Sequence, residues 1–262
     1  MQAPSLRDAT LSDLLRRTIS LYSATLVPAV PIALVMNLPL LVLGGLPMEP
    51  ETGNPGWLLA ALLLVLVCSG IAVSAVTRVL LGAAAQTSVP LGTLLRLTLG
   101  RSLITVTLTF AVTSFLANLG LLGFLFNMAL LAFVLPGLIL GGLFAAAVPA
   151  VLVERRSTFS AIGRSAGLMR QDLFKAMAAY AFGALASELL PLGLLLGLQS
   201  VTGPSPFSPL LAVTINGITL PLALAVGVTL YCAARASETA APDTLQSELV
   251  RAATGTEPPS RT

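Results

Sequence analysis

Of the 262 residues, 56% are hydrophobic and 10% charged, whereas an ordinary soluble domain carries about 25% charged residues. With a mean hydropathy of +0.93 and no histidine, the composition excludes a soluble enzyme and every mechanism that needs an imidazole as acid, base or metal ligand. The net charge is +3, and 13 of the 14 basic residues are arginine; no soluble basic module is present to grip nucleic acid.

Residues 1–21, MQAPSLRDATLSDLLRRTISL, set Leu11, Leu14, Leu15 and Ile19 on one helical face and Arg7, Asp13, Arg16 and Arg17 on others. That pattern predicts a cytoplasmic amphipathic helix at the membrane surface. Ser5 with Asp8, or Thr10 with Asp13, supplies its capping box. Crossing the hydrocarbon core takes about 20 mostly apolar residues. Six runs qualify, at Tyr22 to Leu46, Trp57 to Val79, Leu103 to Phe124, Met128 to Leu152, Leu173 to Leu198 and Pro209 to Ala234. Two further interfacial helices are expected at 90–101 and 157–171. Residues 236–262 turn to Ser, Thr, Pro, Glu and Ala, and read as a disordered tail, with a short helix near Asp243 to Ala253 as the exception. The expected organisation is therefore an all-α, six-span membrane domain over 22–235 between an amphipathic helix and a tail.

Orientation follows from the placement of Lys and Arg, which accumulate on cytoplasmic flanks. Pro47 to Gly56, Leu125 to Asn127 and Gln199 to Ser208 contain neither, and all 14 basic residues fall on the other side. Both termini are expected to be cytoplasmic. Cys68 and Cys232 lie within apolar runs, where a thiol behaves as a small hydrophobe, and no metal-ligand spacing or cofactor motif is present.

Three segments, TLSDLLRRTISL, GTLLRLTLGRSL and STFSAIGRSAGL, each precede a span and each carry Arg followed by a small hydroxyl residue: Arg17-Thr18, Arg101-Ser102 and Arg164-Ser165. They read as copies of a unit of interfacial helix plus membrane hairpin, or as the arginines any positive-inside protein places near its inner helix starts. LSDLLRRTISLY and LPGLILGGLFAAAVPAVLVERRSTFSAIGRSAGLM resemble the bacterial membrane domain named after glycerophosphoryl diester phosphodiesterases. In that family a proline-bearing span leads to an acidic residue, a small-residue turn and an Arg-Ser helix; the matching positions are Pro149, Glu154, Ser157, Arg164, Ser165 and Leu168. The resemblance implies a polytopic protein of a bacterial plasma membrane without an established activity. The catalytic phosphodiesterase domain fused to some relatives, and the histidines it requires, are not found here.

Helices in lipid pack through small residues, and Gly137, Gly141 and Ala145 form such a stripe. A second face carries Thr107, Ala111, Ser114 and Asn118. Intramembrane prolines stand at Pro28, Pro31, Pro39, Pro136, Pro149, Pro191 and Pro221, where each removes a ladder bond. Glu188 is the one acidic residue deep within a span, and an ionisable group there is a functional hypothesis by default. Glu188, Asn37 and Asn118 each lie about 22 Å from the inner start of their spans at 1.5 Å per residue, with Asn216 at about 27 Å. A polar cluster in the outer half of the bundle is expected, serving as an interhelical clamp, a proton- or cation-coupled site, or a headgroup contact. Arg16, Arg17, Arg101, Arg155, Arg156, Arg164 and Arg170 form the basic inner face toward anionic headgroups. The leading functional expectation is a non-enzymatic membrane component that organises lipid or partner proteins; the alternative is a small-solute transporter or pore component.

Overall fold

The computed structural model describes residues 5–39, 41, 55–125, 130–189, 193, 194, 197, 200, 208–238 and 242–255. It is an all-α bundle with no strand among them. Its helices are α1 (Leu11–Asn37), α2 (Pro55–Ala84), α3 (Leu91–Thr98), α4 (Ser102–Leu125), α5 (Leu130–Phe144), α6 (Ala147–Glu154), α7 (Thr158–Met169), α8 (Leu173–Ala184), α9 (Ser208–Ala236) and α10 (Pro242–Thr254).

Six spans were expected from the sequence. Among the described residues four stretches are each long and apolar enough to cross a membrane: Leu11–Asn37, Leu59–Ala84, Leu135–Glu154 and Leu210–Ala236. A fifth is added if α3 and α4, bent by 71°, form one broken span. The expected span Leu173 to Leu198 is described as α8 followed by a π turn at Leu185–Leu189, and most of its outer end lies outside the described residues. So do most of the loops expected on the outer side.

Thr10 caps α1 in a reciprocal box with Asp13, the second of the two candidate boxes. The helix then runs unbroken for 27 residues, which corrects the division at residue 21 into a surface helix and a separate span. The reason is local: LSDLLRRTISLYSATLV contains no Gly or Pro to end a helix. The other two copies do break, at Leu99-Gly100 before α4 and at a 3-10 turn, Arg170–Asp172, before α8. Thus α3 and α7 exist as separate short helices, close to the expected 90–101 and 157–171.

The buried face of α1 is small and polar at helical spacing, Thr18, Thr25, Ala29, Ala33 and Asn37, which lets α9 and α2 approach closely. On α9 the answering residue is Gly217, where a Cβ would lie 2.4 Å from Leu34 Cδ2. Gly141 is buried against α8, with the Tyr180 ring 2.1 Å from where its Cβ would stand.

The expected fourth span is broken in the middle. Pro149 has no N–H for the carbonyl of Ala145, four residues back, and its ring crowds that carbonyl. The chain responds with a turn at Ala145 and Ala146 between α5 and α6. The displaced Ala145 carbonyl faces α9 at Gly227, where an added Cβ would meet its oxygen at 2.5 Å. Gly227→Ala therefore has a backbone atom to push away and should cost about 1–3 kcal/mol, read as a lower midpoint in denaturant titration of the detergent-solubilised protein; an unchanged midpoint would mean that α9 and the break are not in contact.

Hydrogen bonds tie the ends of most helices into one layer. The Leu6 N–H donates to Ala233 O at 2.9 Å, Lys175 Nζ donates to Leu6 O at 3.1 Å and Arg7 O at 2.9 Å, and Gln246 Nε2 donates to Ala85 O at 2.7 Å. The starts of α1 and α8 and the ends of α2 and α9 thus share one end of the bundle, and every described Lys or Arg lies at that basic end.

The short helix expected near Asp243 to Ala253 within the tail is present, and it docks on the bundle. Residues 242–254 are the helix α10, which buries Leu245, Leu249, Ala252 and Ala253 against α2, α6 and α3. Those four positions recur at helical spacing, so the apolar face was present within a segment whose average composition is polar.

Candidate functional site

Glu154 ends α6 at the basic end, with its side chain 12% exposed. Its carboxylate accepts from Arg156 Nε at 2.6 Å, from Arg164 Nε at 3.1 Å on both oxygens, and from the Tyr231 hydroxyl at 3.2 Å. Arg164, from α7, turns its outer two nitrogens to Glu238, one at 3.0 Å and the other closer. Arg235, in the last turn of α9, donates to the same Glu238 at 3.2 Å and to Glu248 of α10 at 2.7 Å. Its Nε also stands 3.9 Å from Glu154.

Three guanidiniums and three carboxylates from α6, α7, α9 and the α9–α10 segment are thereby linked in one chain. Hydrogen bonding to Glu238 raises the already high pKa of Arg164. For Glu238, burial works to raise the carboxyl, but the Arg164 hydrogen bond and charge prevail and hold it below the usual carboxylate range. Such half-buried pairs tie elements together in a defined geometry and lose part of their Coulombic gain to desolvation.

The neighbour of Arg164 works inward. Ser165 is fully buried; its hydroxyl donates to Leu143 O at 2.7 Å and accepts from the Ala146 N–H at 3.1 Å. One serine thus satisfies backbone groups on both sides of the break that Pro149 causes. In the second copy Ser102 donates to Leu97 O at 3.4 Å and accepts from Arg78 at 3.0 Å, whereas Thr18 of the first bonds its own helix at Leu14 O, 2.9 Å away.

Within the bundle, Asn216 Nδ2 donates to Asn37 Oδ1 at 3.3 Å, and Asn37 Nδ2 donates to Ala33 O at 2.7 Å. Two members of the expected polar cluster therefore meet; the side chains of Asn118 and Glu188 lie outside the described residues. A cavity of ≈ 150 Å³ opens between α4, the α5–α6 break, α8 and α9, and its polar lining includes Thr113, Ser114, Ser187 and Asn216.

Of the seven basic residues expected to face headgroups, Arg16, Arg101, Arg155 and Arg170 are exposed and Arg17 is half-buried. Arg156 and Arg164 are paired with Glu154 and Glu238 within the basic end. The spacing along the chain hides this pairing, since Glu238 lies 74 residues from Arg164. Arg78, Arg235 and Glu248 were missed for the same reason. Gly137 and Gly141 are buried, while Ala145 lies at the break and lines the cavity. No group of three His, Cys, Asp or Glu able to hold a metal occurs among the described residues.

No family model, no curated protein and no solved structure matches this chain.

Proposed function

We propose that the chain is a non-enzymatic integral protein of a bacterial plasma membrane, with both termini cytoplasmic, that organises anionic lipid, or partner proteins through that lipid, around its basic end. A kinship with the glycerophosphoryl diester phosphodiesterase membrane domain fits this reading: Glu154, Arg164 and Ser165, which carry the resemblance, all hold the basic end together.

The supporting observation is how that end meets its surroundings. Leu91, Leu95 and Leu99 form an exposed apolar stripe along α3, and Phe159 and Phe174 are 81% and 77% exposed. Beside them Arg16, Arg96, Arg101, Arg155 and Arg170 are exposed. Apolar side chains at acyl depth next to guanidiniums at phosphate depth are the pattern of an interfacial lipid contact. Each basic residue near an anionic surface contributes about 1 kcal/mol. Changing Arg16, Arg101, Arg155 and Arg170 to Gln is expected to reduce anionic phospholipid retained by the purified protein by at least about tenfold; equal retention would reject the reading. In a cysteine-free background, Cys at Thr52 or Gly203 should react with a membrane-impermeant thiol reagent in intact cells and Cys at Ser160 should not. Labelling at Ser160 would reverse the orientation.

The cavity favours a second reading, a pathway or pocket for a small solute, because its polar groups converge beside a broken helix. Glu188→Gln keeps size and hydrogen bonding while removing the titratable proton, so a clamp survives it and proton-coupled uptake does not.

A further inference from the structure

Glu238 is held as an anionic ligand would be. Arg164 of α7 presents two nitrogens to its two oxygens, and Arg235 of α9 reaches the same carboxylate from a second helix. Fork-shaped donation by two guanidiniums suits a phosphate at least as well as a carboxylate. We propose that Arg164 and Arg235 form a phosphate-binding site at the basic end, that Glu238 and Glu248 occupy it as resident surrogates, and that phosphate groups compete with them.

Charge is the first argument. Arg156, Arg164 and Arg235 against Glu154, Glu238 and Glu248 balance to zero. Withdrawing the two carboxylates that follow α9 leaves Glu154 against three arginines, a net of +2, which two phosphodiester headgroups or one phosphate dianion neutralise. Glu154 would stay as the positioning group, holding the Nε side of Arg164 while its outer nitrogens face the site.

The second argument is that Glu248 rides on a short helix. α10 has 13 residues and docks through Leu245, Leu249, Ala252 and Ala253, too short a helix to persist in water alone. Its polar anchors include Glu248 to Arg235, Gln246 to Ala85 O, and Arg78 to Ala252 O. The third argument is position. The exposed Arg155, Phe159 and Phe174 belong to the same end, so a headgroup phosphate is the nearest source of the ligand.

This inference rests on the lipid reading above but makes a separate claim, that paired arginines become a site when the tail carboxylates leave. The test uses the full chain in mixed phosphatidylcholine–phosphatidylglycerol nanodiscs, with retained phosphatidylglycerol counted by native mass spectrometry. Glu238→Gln with Glu248→Gln is expected to raise retention about fivefold, and adding Arg164→Gln to that pair to abolish the rise. A parallel arm titrates inorganic phosphate in lipid-free detergent: protection of the double variant there, without a rise in nanodiscs, keeps the site and assigns it to free phosphate. No rise in either arm, with hydrogen exchange of α1 and α9 unchanged, overturns the proposal. If the exposed-arginine variant still loses lipid in that case, the lipid reading stands alone; if neither variant changes retention, both fail.

Discussion

Ser165→Ala is expected to lower the stability of the bundle by about 2–5 kcal/mol, because two buried backbone groups lose their partner at once and each costs roughly 1–3 kcal/mol unpaired. Alanine fills nearly the same space, so loss of packing contributes little and the effect reports the hydroxyl. The Leu143 carbonyl and the Ala146 N–H both lie where a continuous helix would have satisfied them internally, and Pro149 prevents that. In an apolar surrounding no bulk water is available to replace the serine. The measurement is denaturant or thermal unfolding of the solubilised protein. Pro149→Ala in the same background is the companion test: restoring the Ala145 ladder bond should recover part of the loss. A loss below about 0.5 kcal/mol for Ser165→Ala would show that the hydroxyl does not hold the break.

The order of the helices was legible from hydrophobic run length and punctuation, and for a physical reason. An apolar run long enough to span lipid has few alternatives to a helix. The expected 103–124 and 209–234 became α4, Ser102–Leu125, and α9, Ser208–Ala236. The short helices before the spans were legible where a Gly or a polar cluster separates them from the next span, as at Gly100 and Gln171-Asp172, and misread where nothing does, as in α1. Pro149 stood out as a removed ladder bond, but the compensating hydroxyl is that of Ser165, in the next helix, α7. Composition over 236–262 pointed to a tail with a short helix near Asp243 to Ala253; that helix is α10, and what composition did not supply is its docking through Leu245, Leu249, Ala252 and Ala253. The charged network was the least legible part. Arginines near inner helix starts are explained by the positive-inside rule alone, and only the folded chain brings Glu238 and Glu248 back to Arg164 and Arg235. Asn37 and Asn216 were matched by depth, a coordinate that run length does supply, and they do meet.

Arg78 carries the other large expectation. It is 6% exposed near the end of α2, and among the described residues it has no carboxylate partner. Its donors go instead to Ala252 O in the last turn of α10, to Leu97 O at the end of α3 at 3.4 Å, and to Ser102 Oγ at 3.0 Å. Both carbonyls lie at helix C-termini, where the helix dipole favours a cation; Leu97 O also accepts at 3.4 Å from the Gly100 N–H and from the Ser102 hydroxyl. Two terms oppose each other in Arg78→Met. Removing a buried cation relieves its desolvation cost, while the acceptors lose charge-assisted bonds of about 1.5–3 kcal/mol each. For α2 in its apolar surroundings these terms nearly cancel, but α10 feels only the loss, since Ala252 O has water as its alternative once the helix lifts. The expected result is therefore local. Backbone amides of 242–254 should exchange faster by roughly thirtyfold, corresponding to about 2 kcal/mol less protection, while those of α1 and α9 keep theirs. Gly255, whose φ of +73° closes α10 against Leu97, should loosen with it. Equal protection of α10 in the variant would show that its apolar face alone holds it. Faster exchange throughout the bundle would show that Arg78 is instead a global anchor, with its desolvation cost outweighed by its three bonds.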